Sequence, residues 1–343
     1  MPILAYIIKE KRNMKKMKKF AALALAGLMA VSVCACQKSE SGKNNNDSTD
    51  KTYNVGICQL VEHPALDAAT KGFKDALTEK LGDKVKFDEK NAQGDTETCA
   101  TIVNGFVSSK VDLMLANATP ALQAAVAATN EIPILGTSIT EYGVALDIKD
   151  FTGKTGINVS GTSDLAPLAE QAAMIKEIFP EAKKVALIYC SAEANSLYQV
   201  KVVGEELTKL GIENKAFPFA DSNDIANICE SAAEYADVVY IPTDNTAAEN
   251  TSAVYNVLMP AKIPVIAGEE GICGGCGVAT LSISYYDIGY QTGVMAYDIL
   301  VNGADISEME IAYAPKFTKK YNEAIAKELG VTIPEGYEAI KAE

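Results

Sequence analysis

A chain of 343 residues that is 48% hydrophobic is long enough for two domains, each with its own core. Its formal net charge of −14 argues against nucleic acid as a partner, because phosphates must be neutralised by Lys and Arg. With a single histidine, His63, any His-based metal site or Ser/His/Asp triad would have to use that one residue, and neither a metal nor a cofactor is expected.

The chain opens with a basic stretch over Lys11–Lys19, followed by an apolar run from Phe20 to Val33 that is short for a membrane span. It ends in Val33-Cys34-Ala35-Cys36, which fits a secretory signal with a lipobox over 1–36 and Cys36 as the lipid acceptor. Small residues there let a peptidase reach the backbone, and the thiol takes the lipid. Residues 37–52 are polar, contain Asn44-Asn45-Asn46 and read as a flexible tether. The expected setting is extracytoplasmic, on the cell membrane through the lipid.

From Tyr53 onward the periodicity alternates. Tyr53–Leu60 reads as a strand, and Pro64 suits the first turn of a helix carrying Leu66, Ala69, Phe73 and Leu77 on one side. Strands are expected at Val85–Asp88, Val111–Ala116 and Ile132–Leu135, with helices at Thr96–Ser108 and Pro120–Thr129. Gly153–Asp164, rich in Gly, Ser and Thr, reads as a crossover. The pattern then restarts. Helices are expected at Leu165–Phe179, Ser196–Leu210, Asp224–Glu234 and Ala247–Leu258, and strands at Lys184–Tyr189, Ile212–Phe217, Val238–Ile241 and Ile263–Ala267. A strong helix over Tyr286–Val301 and a last one over Tyr321–Leu329 exceed what the second unit needs. The chain is therefore expected to return to the first unit near Thr280–Tyr286 and to leave it again near Tyr313–Thr318.

Continuous apolar strands alternating with helices indicate an α/β fold with parallel sheets covered on both faces. Two doubly wound lobes joined by three crossovers follow, with lobe one over 53–157 plus about 285–313 and lobe two over 158–284 plus about 314–343. In such sheets ligands sit beyond the carboxyl ends of the strands. That rule selects Gln59 and His63, Ala118 and Thr119, and Thr137 and Ser138 in the first lobe. In the second it selects Glu193, Asn195 and Ser196, then Asp244 and Asn245, then Glu269 and Glu270. Helix N-termini and hydroxyls in lobe one suit a carboxylate, and the acids of lobe two suit an ammonium. Each acid is equally a good helix cap, and Tyr189 and Tyr198 could either stack on a ligand or fill the core.

Gln59-Leu60-Val61-Glu62-His63-Pro64, Ala118-Thr119-Pro120, Glu193-Ala194-Asn195-Ser196, Pro242-Thr243-Asp244-Asn245, Gly268-Glu269-Glu270-Gly271 and Tyr285-Tyr286-Asp287-Ile288-Gly289 together resemble the TrpX-like solute-binding lipoproteins of ABC transporters, a branch of the type I periplasmic-binding-protein fold. The resemblance implies a non-enzymatic receptor that closes on a small amino-acid-like ligand, leaning to an aromatic one, with a permease and an ATPase as partners. A lipid-anchored hydrolase using Glu193, Asp244 or Glu270 is the alternative. No Gly-x-Ser-x-Gly elbow, Walker A lysine motif or His-Glu-x-x-His occurs to favour it. Cys58, Cys99, Cys190 and Cys229 read as small buried hydrophobes, whereas Cys273-x-x-Cys276, placed after a strand, could form a local disulfide outside the cell.

Overall fold

The computed structural model describes residues 51–341. The signal segment, Cys36 and residues 37–50 of the tether lie outside the described residues. Among those described, no helix is long and apolar enough to cross a membrane.

The first lobe is a sheet of six strands: β1 (Tyr53–Gln59), β2 (Val85–Asn91), β3 (Leu113–Asn117), β4 (Ile134–Ile139), β5 (Val159–Ser163) and β11 (Ala312–Tyr313). Their order is β11-β5-β4-β3-β1-β2, and every neighbouring pair is parallel. A strand covered on both faces favours apolar side chains on both, and residues 113–116 of β3 show why. Leu113 and Leu115 point to one face and pack with Phe73 and Leu77 of α1 (Pro64–Leu81) and Met295 of α11 (Tyr285–Leu300). Met114 and Ala116 point to the other, toward Val103 of α2 (Thr96–Ser109), Leu122 of α3 (Thr119–Ala128) and Tyr142 of α4 (Tyr142–Ala145). Helix α11 lies against α1 so closely that a Cβ on Gly289 would collide with the backbone carbonyl of Ala69.

The second sheet runs β13-β12-β10-β9-β8-β6-β7. It comprises β6 (Lys184–Cys190), β7 (Glu213–Phe219), β8 (Val238–Ile241), β9 (Val265–Ala267), β10 (Ala279–Ser282), β12 (Thr318–Tyr321) and β13 (Glu338–Ala339). All pairs are parallel except β10 with β12. Helices α5 (Leu168–Ile178), α6 (Ala194–Lys209) and α12 (Glu323–Leu329) cover one face. Helices α7 (Ile225–Tyr235), α8 (Asn245–Glu249), α9 (Thr251–Leu258) and α10 (Glu270–Cys276) cover the other. The chain passes between the sheets three times, after β5, between β10 and α11, and between β11 and β12.

Three sequence expectations need correcting. Val159–Ser163 is a strand of the first sheet, paired Ile134↔Val159 with β4 and Ala312↔Thr162 with β11, so lobe one continues through 163 instead of ending at 157. Its small polar sequence hid it. Gly161, at φ +140°, lies against Gly136, where a side chain has no space, and the Tyr142 hydroxyl donates to the Thr162 carbonyl at 3.1 Å. The helix expected over Ala247–Leu258 is two, broken at Asn250. Cys273 and Cys276 lie on helix α10, buried and both free, with no disulfide between them.

Candidate functional site

The C-terminal ends of the two sets of strands face each other. The crossovers leave from β5 and β10, which makes that side the hinge end of the cleft, and β1 and β6 form its far end. Among the described residues, two side-chain hydrogen bonds join the facing loops of the lobes: His63 Nε2 with Asn245 Oδ1 at 3.3 Å, and Thr140 Oγ1 with Thr243 Oγ1 at 3.4 Å.

At the far end, the apolar run of β1 gives way to polar residues, and Gln59 is already engaged. Its Nε2 donates to the Val61 carbonyl and to Asp67 Oδ1, and its Oε1 accepts from the Thr70 hydroxyl at 2.6 Å. It therefore braces α1 against β1 and has little capacity left for a ligand. His63 is the residue before α1, in extended backbone, and its buried ring is pushed toward the neutral form by loss of solvent. Across the cleft, Glu193 accepts five hydrogen bonds: from the backbone N–H and side chain of both Asn245 and Thr246, and from Asn195 Nδ2. It ties the β6 loop to the start of α8. Asn195 Nδ2 also donates to the Thr243 carbonyl at 2.9 Å.

In the middle, Ala118 and Ser138 carry positive φ values of 90° and 55°. Such backbone costs on the order of 1–3 kcal/mol for a residue with a Cβ and tends to cluster where ligands are held. Ala118 precedes α3, whose first residues Thr119 and Pro120 are buried; Pro120 has no N–H and the Ala118 N–H is held by the Thr137 carbonyl, so the donors left in that turn are the Thr119 and Ala121 N–H groups. Thr137 and Ser138, expected in a loop, are inside β4. Thr137 shares a hydroxyl chain with Thr162 and Thr292 and is internal, while Ser138 Oγ is buried without a protein partner.

The hinge end holds an acid that sequence reasoning missed. Asp164 follows β5 directly and is 5% exposed. The Tyr285 hydroxyl donates to its Oδ2 at 3.0 Å, and its Oδ1 has no protein partner. Burial pushes its carboxyl up to about 6. The strand-end rule would have selected it had β5 been recognised as a strand.

The acids that the sequence singled out in lobe two behave differently. Asp244 caps α8 through the Ala247 N–H and holds the Cys190 N–H at 2.6 Å, with Ser196 beside it. Burial, with Glu193 near, pushes its carboxyl up to about 8. Glu269 caps α10 through the N–H groups of Gly271 and Ile272, and burial raises it to about 7. Glu270 pairs with Lys320 at 2.5 Å. These groups build the loops that face the cleft. A groove of about 1240 Å³ opens beside Pro64, Ala65 and Tyr285, and of the expected residues only Glu269 and Glu270 line it. Tyr189 lies in the core and Tyr198 packs against it.

Residues 54–342 match the profile of the family described as ABC transporter substrate binding protein. The chain belongs to this family. As a member, this substrate-binding protein is 38% identical over 306 residues to a curated tyrosine-binding protein of Clostridioides difficile (strain R20291), covering 87% of this chain and 88% of the relative. A structure from Streptococcus pneumonia in complex with L-Trp matches with a TM-score of 0.80 at 31% identity, covering 84% of this chain and all of that one. A ligand-free, open structure of a Clostridium difficile substrate-binding protein with adhesive properties matches with 0.65 at 37% identity, covering 85% and all of that chain. The substrate-binding protein thus superposes better on the ligand-bound relative than on the more similar but open one, in keeping with lobes that touch across the cleft. Its fold is the type I periplasmic-binding-protein arrangement of two α/β lobes.

Proposed function

We propose that this substrate-binding protein captures a free aromatic amino acid between its lobes and presents it to an ABC permease. Asp164 receives the α-ammonium, and the α3 N-terminus with Ser138 receives the α-carboxylate. The observation that carries the reading is the Asp164 carboxylate, buried at the hinge with one oxygen lacking a donor. A buried anion in that state calls for a cation brought in from outside. The tyrosine- and tryptophan-binding relatives supply the aromatic class. Closure of the lobes over the ligand, with His63–Asn245 and Thr140–Thr243 as clasps, would then expel water and strengthen both charged contacts.

The working location follows from the family, whose members act outside the cytoplasm. Export through the 1–36 signal, lipid attachment at Cys36 and a tether over 37–52 would hold the receptor beside its permease and ATPase. Capture is expected without turnover. Titration calorimetry against the twenty amino acids tests this reading. One-to-one binding of an aromatic amino acid is the expected result, and a preference for a sugar or an aliphatic amino acid contradicts it.

A further inference from the structure

Two buried acceptors at the far end of the cleft have no partner in the protein. Their orientation follows from neighbours that can only hydrogen-bond one way. Asn245 Nδ2 donates to Glu193 Oε2 at 2.6 Å, so its Oδ1 is the atom facing His63. An amide oxygen can only accept, so His63 Nε2 carries the proton and its Nδ1 is a bare acceptor. That atom is buried and unpartnered, in a residue only 6% exposed. Asn195 is held in the same way. Its Nδ2 donates to Glu193 Oε2 at 3.1 Å and to the Thr243 carbonyl at 2.9 Å, which leaves Oδ1 as a second bare acceptor in a residue 5% exposed. One from each lobe, the two are linked through a single hydrogen-bonded chain, His63–Asn245–Glu193–Asn195.

The strand order separates this pair from Asp164. Strands β3 and β4 stand between β1 and β5, so the two ends are three strand spacings apart, about 14 Å. That span suits an amino-acid head at Asp164 and the tip of an aromatic side chain at His63, with a hydrogen bond at each end. We propose that His63 Nδ1 and Asn195 Oδ1 form a donor-reading subsite, which requires the captured side chain to carry an O–H or N–H at its tip and so excludes phenylalanine. This inference rests on the aromatic amino-acid reading above and adds the class of side chain accepted. A ligand without a donor would leave two desolvated acceptors unpaired in the closed cleft, and such sites discriminate far more strongly than a missing methylene does.

The test is calorimetry of the wild-type protein with L-tyrosine, L-tryptophan and L-phenylalanine, repeated on His63→Phe and Asn195→Ala. The better of tyrosine and tryptophan is expected to bind at least about 100-fold more tightly than phenylalanine. His63→Phe is expected to shrink that ratio at least about tenfold. Loss of the clasp to Asn245 weakens every ligand alike, so only the ratio reports on Nδ1. Phenylalanine binding within about threefold of the best ligand to wild type overturns the subsite while leaving aromatic capture intact. Absence of binding by all three overturns both. The wild-type series decides the matter even if a variant fails to fold.

Discussion

Asp164 and Glu193 are both buried carboxylates at the edge of the same cleft, 5% and 4% exposed. Glu193, at the far end, accepts five hydrogen bonds from the protein, whereas Asp164, at the hinge, has the Tyr285 hydroxyl on Oδ2, the Thr140 hydroxyl beside its carboxyl, and no protein partner for Oδ1. Burial alone therefore does not distinguish an acid that builds a site from one that is offered to a ligand. Accounting for donors does, because a carboxylate has room for about four and desolvation penalises each one it lacks. The same accounting turns the far end into a set of neutral acceptors held in place by Glu193, and the hinge end into a charged one.

The sharpest way to break this contrast is Asp164→Asn. It is expected to weaken aromatic amino-acid binding by a factor of about 100 or more in calorimetry, since it removes one member of a desolvated charge pair. The same change is expected to stabilise the unliganded protein at pH 8. The folded carboxyl sits near 6 against an ordinary value of 3.8, so the stability tied to its neutral form is present below 3.8 and lost as pH rises through 6. The cost by pH 8 is on the order of 3 kcal/mol, and thermal melts of the variant should recover it. A loss of affinity with no gain in stability would mean that Asp164 is a structural group like Glu193.

Glu193→Gln should do the reverse. An amide nitrogen would face the N–H groups of Asn245 and Thr246, lowering stability by about 3 kcal/mol in denaturant titration, with affinity falling mainly through disordered loops. Retained stability would remove the distinction between the two acids.

A smaller effect comes from pH. Binding the ammonium needs an ionised Asp164, so affinity should be flat above pH 7 and about tenfold weaker at pH 5. Smaller still, Thr140→Val removes a hydroxyl that meets Thr243 across the cleft and lies beside the Asp164 carboxyl, and should weaken all amino-acid ligands severalfold without changing their order. A change in selectivity would place Thr140 in contact with the ligand instead.

Much of the architecture was readable because both faces of each sheet are covered. The runs 113–116 and Val238–Ile241 are continuous apolar stretches for that reason. Segment 159–163 was not readable, because its strand pairs beside Gly136 and Tyr142, where only small residues fit, so it carries the composition of a loop. Missing it hid Asp164. The strand-end rule collected His63, Asn195 and Asn245 correctly as neighbours across the cleft, but it could not tell which acids were helix caps. Asp244 and Glu269 look like ligand-facing carboxylates in sequence because a residue after a strand is also the residue before a helix. Only the positions of the Ala247 and Ile272 N–H groups separate the two roles.

The most direct measurement is the number of protons exchanged when L-tyrosine binds, taken from calorimetry in buffers of different ionisation enthalpy. At pH 6 the Asp164 carboxyl is about half protonated, so docking of the ammonium should release about half a proton per ligand, falling to near zero at pH 8 and absent at both in Asp164→Asn. Equal proton exchange at pH 6 and pH 8 in the wild type, or a release that survives in the variant, would contradict the assignment of Asp164 as the ammonium's partner.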